Sequence, residues 1–482
     1  MKNQCFIHKT KPLILFNETL DLFFFGKRKI SFGICRSCGL IFQSESIEQS
    51  KMIKSYKEMV TYVDNLTKPS KSKMKTVKRH IGLVKSCFSE FPKKILEVSS
   101  MNSYNLKQFK KLGSNKIVSL EPSKRIAKLL KLEGIKVHNT TIEKLKTKDK
   151  YDLIILSHVL EHLYDPIKAI KQCFKIQNVN QKILVEIPLF EQVQNYSVGA
   201  FQIEHLHYFS EANIIEVITR GGYTIDKVQK IFTEIEAPII AIIASKKSKK
   251  KIVISNDFQK QLLNFKIYKK QAMSGWKKIN NEFNKINKKK PLYLYGAGWF
   301  ASQLLFYIKV FKNFKNFKGF IDSSPAKQNR NISKYEILSP DFKKIEKNAQ
   351  IIISSISTQN SIYAMIKNKI LSSQKIIKVF FFKMIKFFFK SQIFKIFCYT
   401  KQIKENLDYC GLKKKTIIIP LGFDNKKFNR HSRLPKDEIF RISYFGGGTD
   451  FPDWYKNHGD GLVLSTTPST LTPAPLVMSE LA

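Results

Sequence analysis

Four apolar runs decide the fold: KKILEVSS (93–100), NKIVSLEPS (115–123), YDLIILSHVLEHL (151–163) and KILVEIPL (182–189). Each is a short stretch of branched residues, and the first ends in small polar side chains. Amphipathic stretches such as SKRIAKLLKLEG (123–134) lie between them. Short buried strands alternating with helices predict an α/β domain with a parallel, doubly wound sheet. EAPIIAIIAS (236–245) is expected to be a late edge strand, and SKKSKKK (245–251) a domain boundary.

Beyond a helical spacer (257–287), a second α/β unit begins at KKPLYLYGAGWFASQLL (289–305). It runs through FKGFIDSS (317–324) and AQIIISSIS (349–357) to about residue 380. Gly296-Ala297-Gly298-Trp299-Phe300-Ala301 fits G-x-G-x-x-G/A after an apolar strand and before a helix. Asp322 follows 26 residues beyond Gly296, after the next strand. That pattern places a pyrophosphate at a helix N-terminus. It does not choose between a nucleotide-linked substrate, NAD and a purely structural role.

The chain has 482 residues, enough for about three domains. Hydrophobic residues make up 43%, which excludes global disorder. The formal charge of +46 permits nucleic acid, anionic lipid or phosphorylated partners. Because Lys, Ile, Asn and Phe are abundant together and the lysines are spread along the chain, the charge reads as codon bias, with no specific nucleic acid partner. Seven cysteines, an odd number that includes a C-x-x-C, suit a metal site and buried thiols in a reducing compartment. The N-terminus is polar and lacks a secretory apolar core, and no apolar stretch is long enough to span a bilayer. The expected location is the cytoplasm.

Residues 1–48 read as short strands and turns carrying metal-type ligands, and 49–92 as a Lys-rich helical linker. Cys5-x-x-His8 and Cys35-x-x-Cys38 form two knuckles separated by 26 residues. Four such ligands can close a tetrahedron around a structural Zn2+.

The order of these segments carries a resemblance: knuckle pair, LEVSS, SLEPS, YDLIILSHVLEHLYDP, ILVEIP, IEHLHYFS and LYGAG. Over about residues 1–380 it resembles the sugar C-methyltransferase family and its relatives in surface-polysaccharide clusters. The resemblance implies a small zinc-binding domain, a class I methyltransferase Rossmann-like sheet (93–250) and a second Rossmann-like α/β domain (251–380) that contributes to binding a sugar nucleotide. It also implies S-adenosyl-L-methionine as cofactor and methyl transfer, to carbon ahead of oxygen, on a sugar nucleotide or glycan precursor. The cofactor contacts it implies are Glu97, Ser99, Met101 and Ser103 at the first turn, Glu121 on the ribose, Glu143 near the adenine (with Thr141 beside it) and His158 at the third strand's end. Glu161 and His162 fall on the acceptor side, and Gly296, Gly298 and Asp322 on the sugar nucleotide. His205 is the expected general base with Glu204 orienting it, since imidazole titrates near neutrality. The alternative for His205, His207 and Tyr208 is packing of a lid.

Two departures stand out. The family's E-x-G-x-G-x-G turn has Ser99, Met101 and Ser103 at its glycine positions, and a Met there crowds a ligand. Gln202 stands where Tyr-x-Glu-His has its Tyr. The rival reading is therefore a catalytically degenerate scaffold. A second rival is an NAD-linked sugar oxidoreductase using Gly296 and Gly298, and a third a nucleic-acid methyltransferase. His158-x-x-Glu161-His162 spells an inverted zinc-protease motif, but it lies at a strand end and not in a long helix, so that reading is rejected.

Residues 381–482 change character. IIKVFFFKMIKFFFKSQIFKIF (376–397) has the composition of an interfacial amphipathic helix in weak contact with the inner membrane face, or of a packed connecting helix. CGLKKKTIIIPLGFDNKKF (410–428) resembles an inter-domain segment of retaining glycosyltransferases. Residues 441–467 resemble the start of GHMP-family heptose-phosphate kinases, but 15 residues follow Thr467, so kinase activity is not expected. The Thr/Pro-rich end is expected to be disordered.

Overall fold

The computed structural model describes residues 4–22, 25–58, 69, 71–100, 102–193, 196, 198–232, 237–248, 251–312, 314–325, 327–355 and 359–377, with the backbone of 396–398 and 416–418. Met101, most of the 376–397 stretch, most of 410–428 and all of 441–467 lie outside the described residues. Residues up to Phe380 form one compact unit and the rest a second. The ends of the 376–397 stretch are strand and not helix, in β17 and β18 below.

The chain opens with β1 (Pro12–Leu22), β2 (Gly26–Cys35) and β3 (Ile41–Glu45), an antiparallel meander longer than the short strands expected. Helices α1 (Gln49–Glu58) and α2 (Lys71–Cys87) follow. The central sheet then builds through β4 (Lys94–Val98), α3 (Tyr104–Lys111), β5 (Lys116–Leu120), α4 (Lys124–Leu132), β6 (Lys136–His138), β7 (Leu153–Ser157), α5 (Pro166–Lys175) and β8 (Lys182–Pro188). After β9 (His207–Tyr208) and α6 (Glu211–Arg220), the antiparallel pair β10 (Tyr223–Ile231) and β11 (Ile239–Lys246) completes it. The strand order is β10-β11-β8-β7-β4-β5-β6, with β11 alone running against the other six.

The run at 236–245 is not an edge strand. β11 lies between β10 and β8, and its residues Ile239 to Ser245 are all buried. A strand apolar on both faces needs neighbours on both sides, and each fully buried Ile contributes about 1.5–3 kcal/mol. The half-polar β10 takes the edge instead. The pair at 207–208 also goes elsewhere: β9 leaves the central sheet and pairs with β3 of the meander. The knuckle residues Cys5, Phe6, Ile7, Cys35 and Cys38 share one hydrophobic core with Leu96, Leu156 and Ile218 of the central domain.

The 27-residue α7 (Phe258–Asn284) packs on β2 and leads to the second α/β unit. This comprises β12 (Leu292–Tyr295), α8 (Trp299–Tyr307), β13 (Phe317–Ile321), β14 (Asn331–Ile332), β15 (Tyr335–Leu338), β16 (Gln350–Ile353), α9 (Gln359–Ile366) and β17 (Lys375–Ile377). The sheet order is β14-β15-β13-β12-β16-β17, parallel except for β14. The fold class is therefore α/β with two Rossmann-like parallel sheets. In the second unit, β18 (Ile396–Cys398) and β19 (Thr416–Ile418) pair in parallel.

Candidate functional site

Open α/β sheets bind ligands beyond the carboxyl ends of their strands, where the winding direction reverses. In the central sheet that point lies between β4 and β7. A cleft open to solvent sits there. Its walls come from four strand ends: Val98 and Ser99 after β4, Leu120 and Glu121 after β5, Thr141 to Glu143 after β6, and His158 after β7.

Ser99 has φ +56°, a left-handed conformation that glycine takes more readily than serine. Its amide donates to Leu120 O at 2.7 Å, so the turn keeps a glycine-like course at Ser99. A non-glycine residue held there costs of order 1–3 kcal/mol, typical of strained functional positions. Glu121 is buried at the β5 tip, where Oε1 accepts from the Ser123 amide at 2.8 Å. Glu143 stands in the 3₁₀ turn after β6.

Two expected cofactor contacts go elsewhere. Glu97 is buried behind the cleft, its Oε1 accepting from Asn105 Nδ2 at 2.8 Å. Ser103 stands at the start of α3 without capping it and donates its hydroxyl to Glu133, which also pairs with Lys107. Both belong to the strand–helix joint, because the first residues of α3 turn inward against β4. Gln49 and Met52 of α1, and Tyr164, also line the cleft. No sequence signal marked these three. The Tyr164 hydroxyl donates to Ile47 O, which ties the α1 arm over the opening.

Around His158 runs a line of alternating carboxylates and imidazoles. Arg79 Nε lies 2.7 Å and His80 Nε2 3.3 Å from Glu186 Oε2. His158 reaches both Glu186, 3.6 Å from Nε2, and Glu161, 3.3 Å from Nδ1. Burial presses the His158 pKa down, but the Glu161 hydrogen bond and the two carboxylate charges outweigh it and leave it raised. Burial works against the Glu161 anion too, yet His158 and the other imidazoles bring its pKa down to about 2. Glu161, His162 and His205 each offer a ligand atom within 4.8 Å of one another.

His205 is not oriented by Glu204 as expected. Its neighbour is His162, edge-on with ring centroids 4.8 Å apart. Glu204 contributes its backbone carbonyl, 2.8 Å from His162 Nδ1, and its side chain lines the cleft. Burial pushes the His205 pKa down to about 3, so the ring is neutral and weakly basic. His207 is structural: its Nε2 meets Leu163 O at 2.9 Å and its ring packs on Phe6. The Tyr208 hydroxyl binds the Gln202 amide at 2.6 Å, fixing the loop that carries Glu204 and His205.

At the N-terminus, Cys5, Cys35 and Cys38 are buried with their sulfurs within 4.8 Å of one another. Hydrogen bonding to its neighbours pushes the Cys35 thiol far down, and bonding with Cys35 pushes Cys5 up to about 12 and Cys38 higher. Such a crowd cannot ionise together without a cation, which suits a thiolate-binding metal. His8 is not in this group: its Nε2 faces Glu216 at 3.2 Å. The backbone nevertheless gives it the position equivalent to Cys38. Cys5 N donates to Thr10 O (2.9 Å) and Lys9 N to Cys5 O (2.8 Å), just as Cys35 N donates to Leu40 O (2.9 Å) and Gly39 N to Cys35 O (2.9 Å).

A second cleft is lined by Gly296, Gly298, Asp322 and Lys327. Gly296 has φ +109°, which only glycine takes readily. Asp322 is already engaged: Oδ2 accepts from Ala297 N at 2.8 Å, Oδ1 from Ser324 N at 2.9 Å, and Lys327 Nζ lies 3.1 Å away. It braces the turn.

Residues 72–228 match the family model described as a methyltransferase domain. The central domain has the class I methyltransferase fold. No curated protein matches the chain. Among solved structures, the chain is similar to N-methyltransferase NodS from Bradyrhizobium japonicum WM9 (13% identity, 40% of this chain and 98% of that one, TM-score 0.32). It is also similar to 1,6-didemethyltoxoflavin-N1-methyltransferase from Burkholderia thailandensis (9%, 45% and 96%, TM-score 0.34).

Proposed function

We propose that this protein transfers a methyl group from S-adenosyl-L-methionine to a sugar nucleotide or related glycan precursor, to carbon ahead of oxygen. One observation carries the donor half: the cleft at the carboxyl ends of β4 to β7, whose strand-end walls fall within the residues matching the methyltransferase model. In this reading Glu121 accepts the ribose hydroxyls and Thr141 to Glu143 flank the adenine, which their lining of the cleft supports. The donor, when bound, supplies an electrophilic methyl on a sulfonium. The protein's own part is to hold the acceptor against it and to receive a proton at Glu204 or His162, since His205 is weakly basic. The Gly296–Lys327 cleft supports the sugar-nucleotide reading, its α8 N-terminus and lysine suiting a pyrophosphate. Zn2+ in the knuckles is structural in this reading, with His8 Nδ1 as the fourth ligand and Glu216 on its other nitrogen, a common second contact of metal-bound histidine.

Calorimetric titration with S-adenosylhomocysteine tests this. Binding is expected in the wild type and at least tenfold weaker in Glu121→Ala, the scale of losing charge-assisted hydrogen bonds of about 1.5–3 kcal/mol. No heat and no thermal shift at millimolar ligand would leave the degenerate scaffold. Quenching of NADH fluorescence on mixing would favour the oxidoreductase instead.

A further inference from the structure

We propose that the outward side of α7 is a docking surface for an anionic lipid membrane.

Helix α7 spans 27 residues, about 40 Å at about 1.5 Å per residue. At about 3.6 residues per turn, its buried side chains Phe265, Tyr268, Trp276, Ile279 and Phe283 fall on one side. Phe265 and Tyr268 share a core with Phe32 and Ile34 of β2, and Trp276 stacks on Tyr307 of α8, so this side faces the protein. Leu263, Ile267 and Met273 fall off that side and are between 39% and 64% exposed. Lys266, Lys270 and Lys277 stand among them, all exposed.

Exposed apolar side chains gather in this part of the chain. Twelve large ones are exposed among the described residues, and six belong to residues 252–273: these three with Ile252, Val253 and Ile254. Scattered single residues need no partner, but a gathered patch marks an interaction surface. The run before α7 is held in place. Val253 N donates to Thr219 Oγ1 at 3.2 Å, and Ser255 N to Glu216 Oε2 at 2.9 Å.

The charge selects the occupant. Between residues 257 and 290, ten lysines stand against two acids, Asp257 and Glu282, and Glu282 is paired with Lys285. A second copy would set lysine against lysine. A nucleic acid would neutralise the lysines, but its bases stack on aromatic side chains and gain little from Leu, Ile and Met. An anionic bilayer satisfies both features: its headgroup phosphates meet the ammonium groups, and its acyl chains take the apolar side chains and the lysine stems. No described helix is long and apolar enough to cross a membrane, so α7 lies in the plane of the interface.

The experiment is co-sedimentation of the full-length protein with vesicles of phosphatidylcholine, alone or mixed equally with phosphatidylglycerol, at physiological salt. Binding is expected to the anionic vesicles and not to phosphatidylcholine alone. It should be at least about tenfold weaker in Leu263→Gln/Ile267→Gln and in Lys266→Gln/Lys270→Gln. Lys128→Gln/Lys131→Gln, an equal loss of charge on exposed positions of α4, should bind as the wild type does. All six substituted side chains are exposed, and circular dichroism checks that each variant folds. No binding by the wild type overturns the proposal. An equal loss in the α4 variant overturns it too, because it marks general attraction of a +46 chain. So does undiminished binding in Leu263→Gln/Ile267→Gln. Self-association without lipid that this variant abolishes would assign the surface to a second copy and overturn it as well.

Discussion

Glu18 is buried in β1, with one oxygen accepting from the Tyr307 hydroxyl of α8 and the other without a hydrogen bond. Burial raises its pKa to about 7, against the pull of Tyr307 and Gln303. An unfolded Glu titrates near about 4.3. The folded state therefore holds an extra proton between those values. The stabilisation is full below about pH 4.3 and is lost as pH rises through 7. Glu18→Gln, a neutral mimic of the protonated acid, should match the wild-type Tm near pH 4.3 and exceed it at pH 8 by a few degrees, about 2–4 °C per kcal/mol. A calorimetric difference that stays constant across that range would refute the assignment. Ser99 shows the residue scale from the other side. Its place in a glycine position was visible in the sequence, but not that the backbone keeps the left-handed turn there.

The two knuckles are one element made twice. Each closes with the same pair of backbone hydrogen bonds, and each has a left-handed residue after its second ligand, Lys9 at φ +59° and Gly39 at φ +77°. At Gly39 a Cβ would also lie 2.6 Å from the Asp257 backbone. Asn213 of α6 donates to Cys38 O at 2.7 Å, so the knuckles rest on the central domain. Purified protein should carry one zinc per chain by elemental analysis. Cys38→Ser should lose it and melt several degrees lower, because the metal's binding energy is also folding energy. Full stability in metal-free protein would exclude that role. The C-x-x-C spacing made these elements legible. The fate of β9 and β11 was not legible, since strand pairing depends on which edge is free and on how much apolar surface each neighbour can cover.

At the scale of the whole molecule, +46 charges repel one another. Salt screens charges over about 8–10 Å at 0.10–0.15 M, so raising NaCl from 50 to 500 mM should raise the Tm. A falling Tm would show that specific ion pairs outweigh the general repulsion. The sequence by itself determined the alternation of strands and helices, the two knuckles, the second glycine turn and the strand ends where a cofactor would lie. Those features follow from local spacing and hydrophobic period, which act between near neighbours. Only the tertiary structure decided that His162 and not Glu204 stands against His205, that Glu97 and Ser103 turn away from the cleft, and that α1 closes over it. Such contacts join residues far apart in the chain, and they depend on backbone closures such as Leu206 to Glu161 that no local pattern encodes.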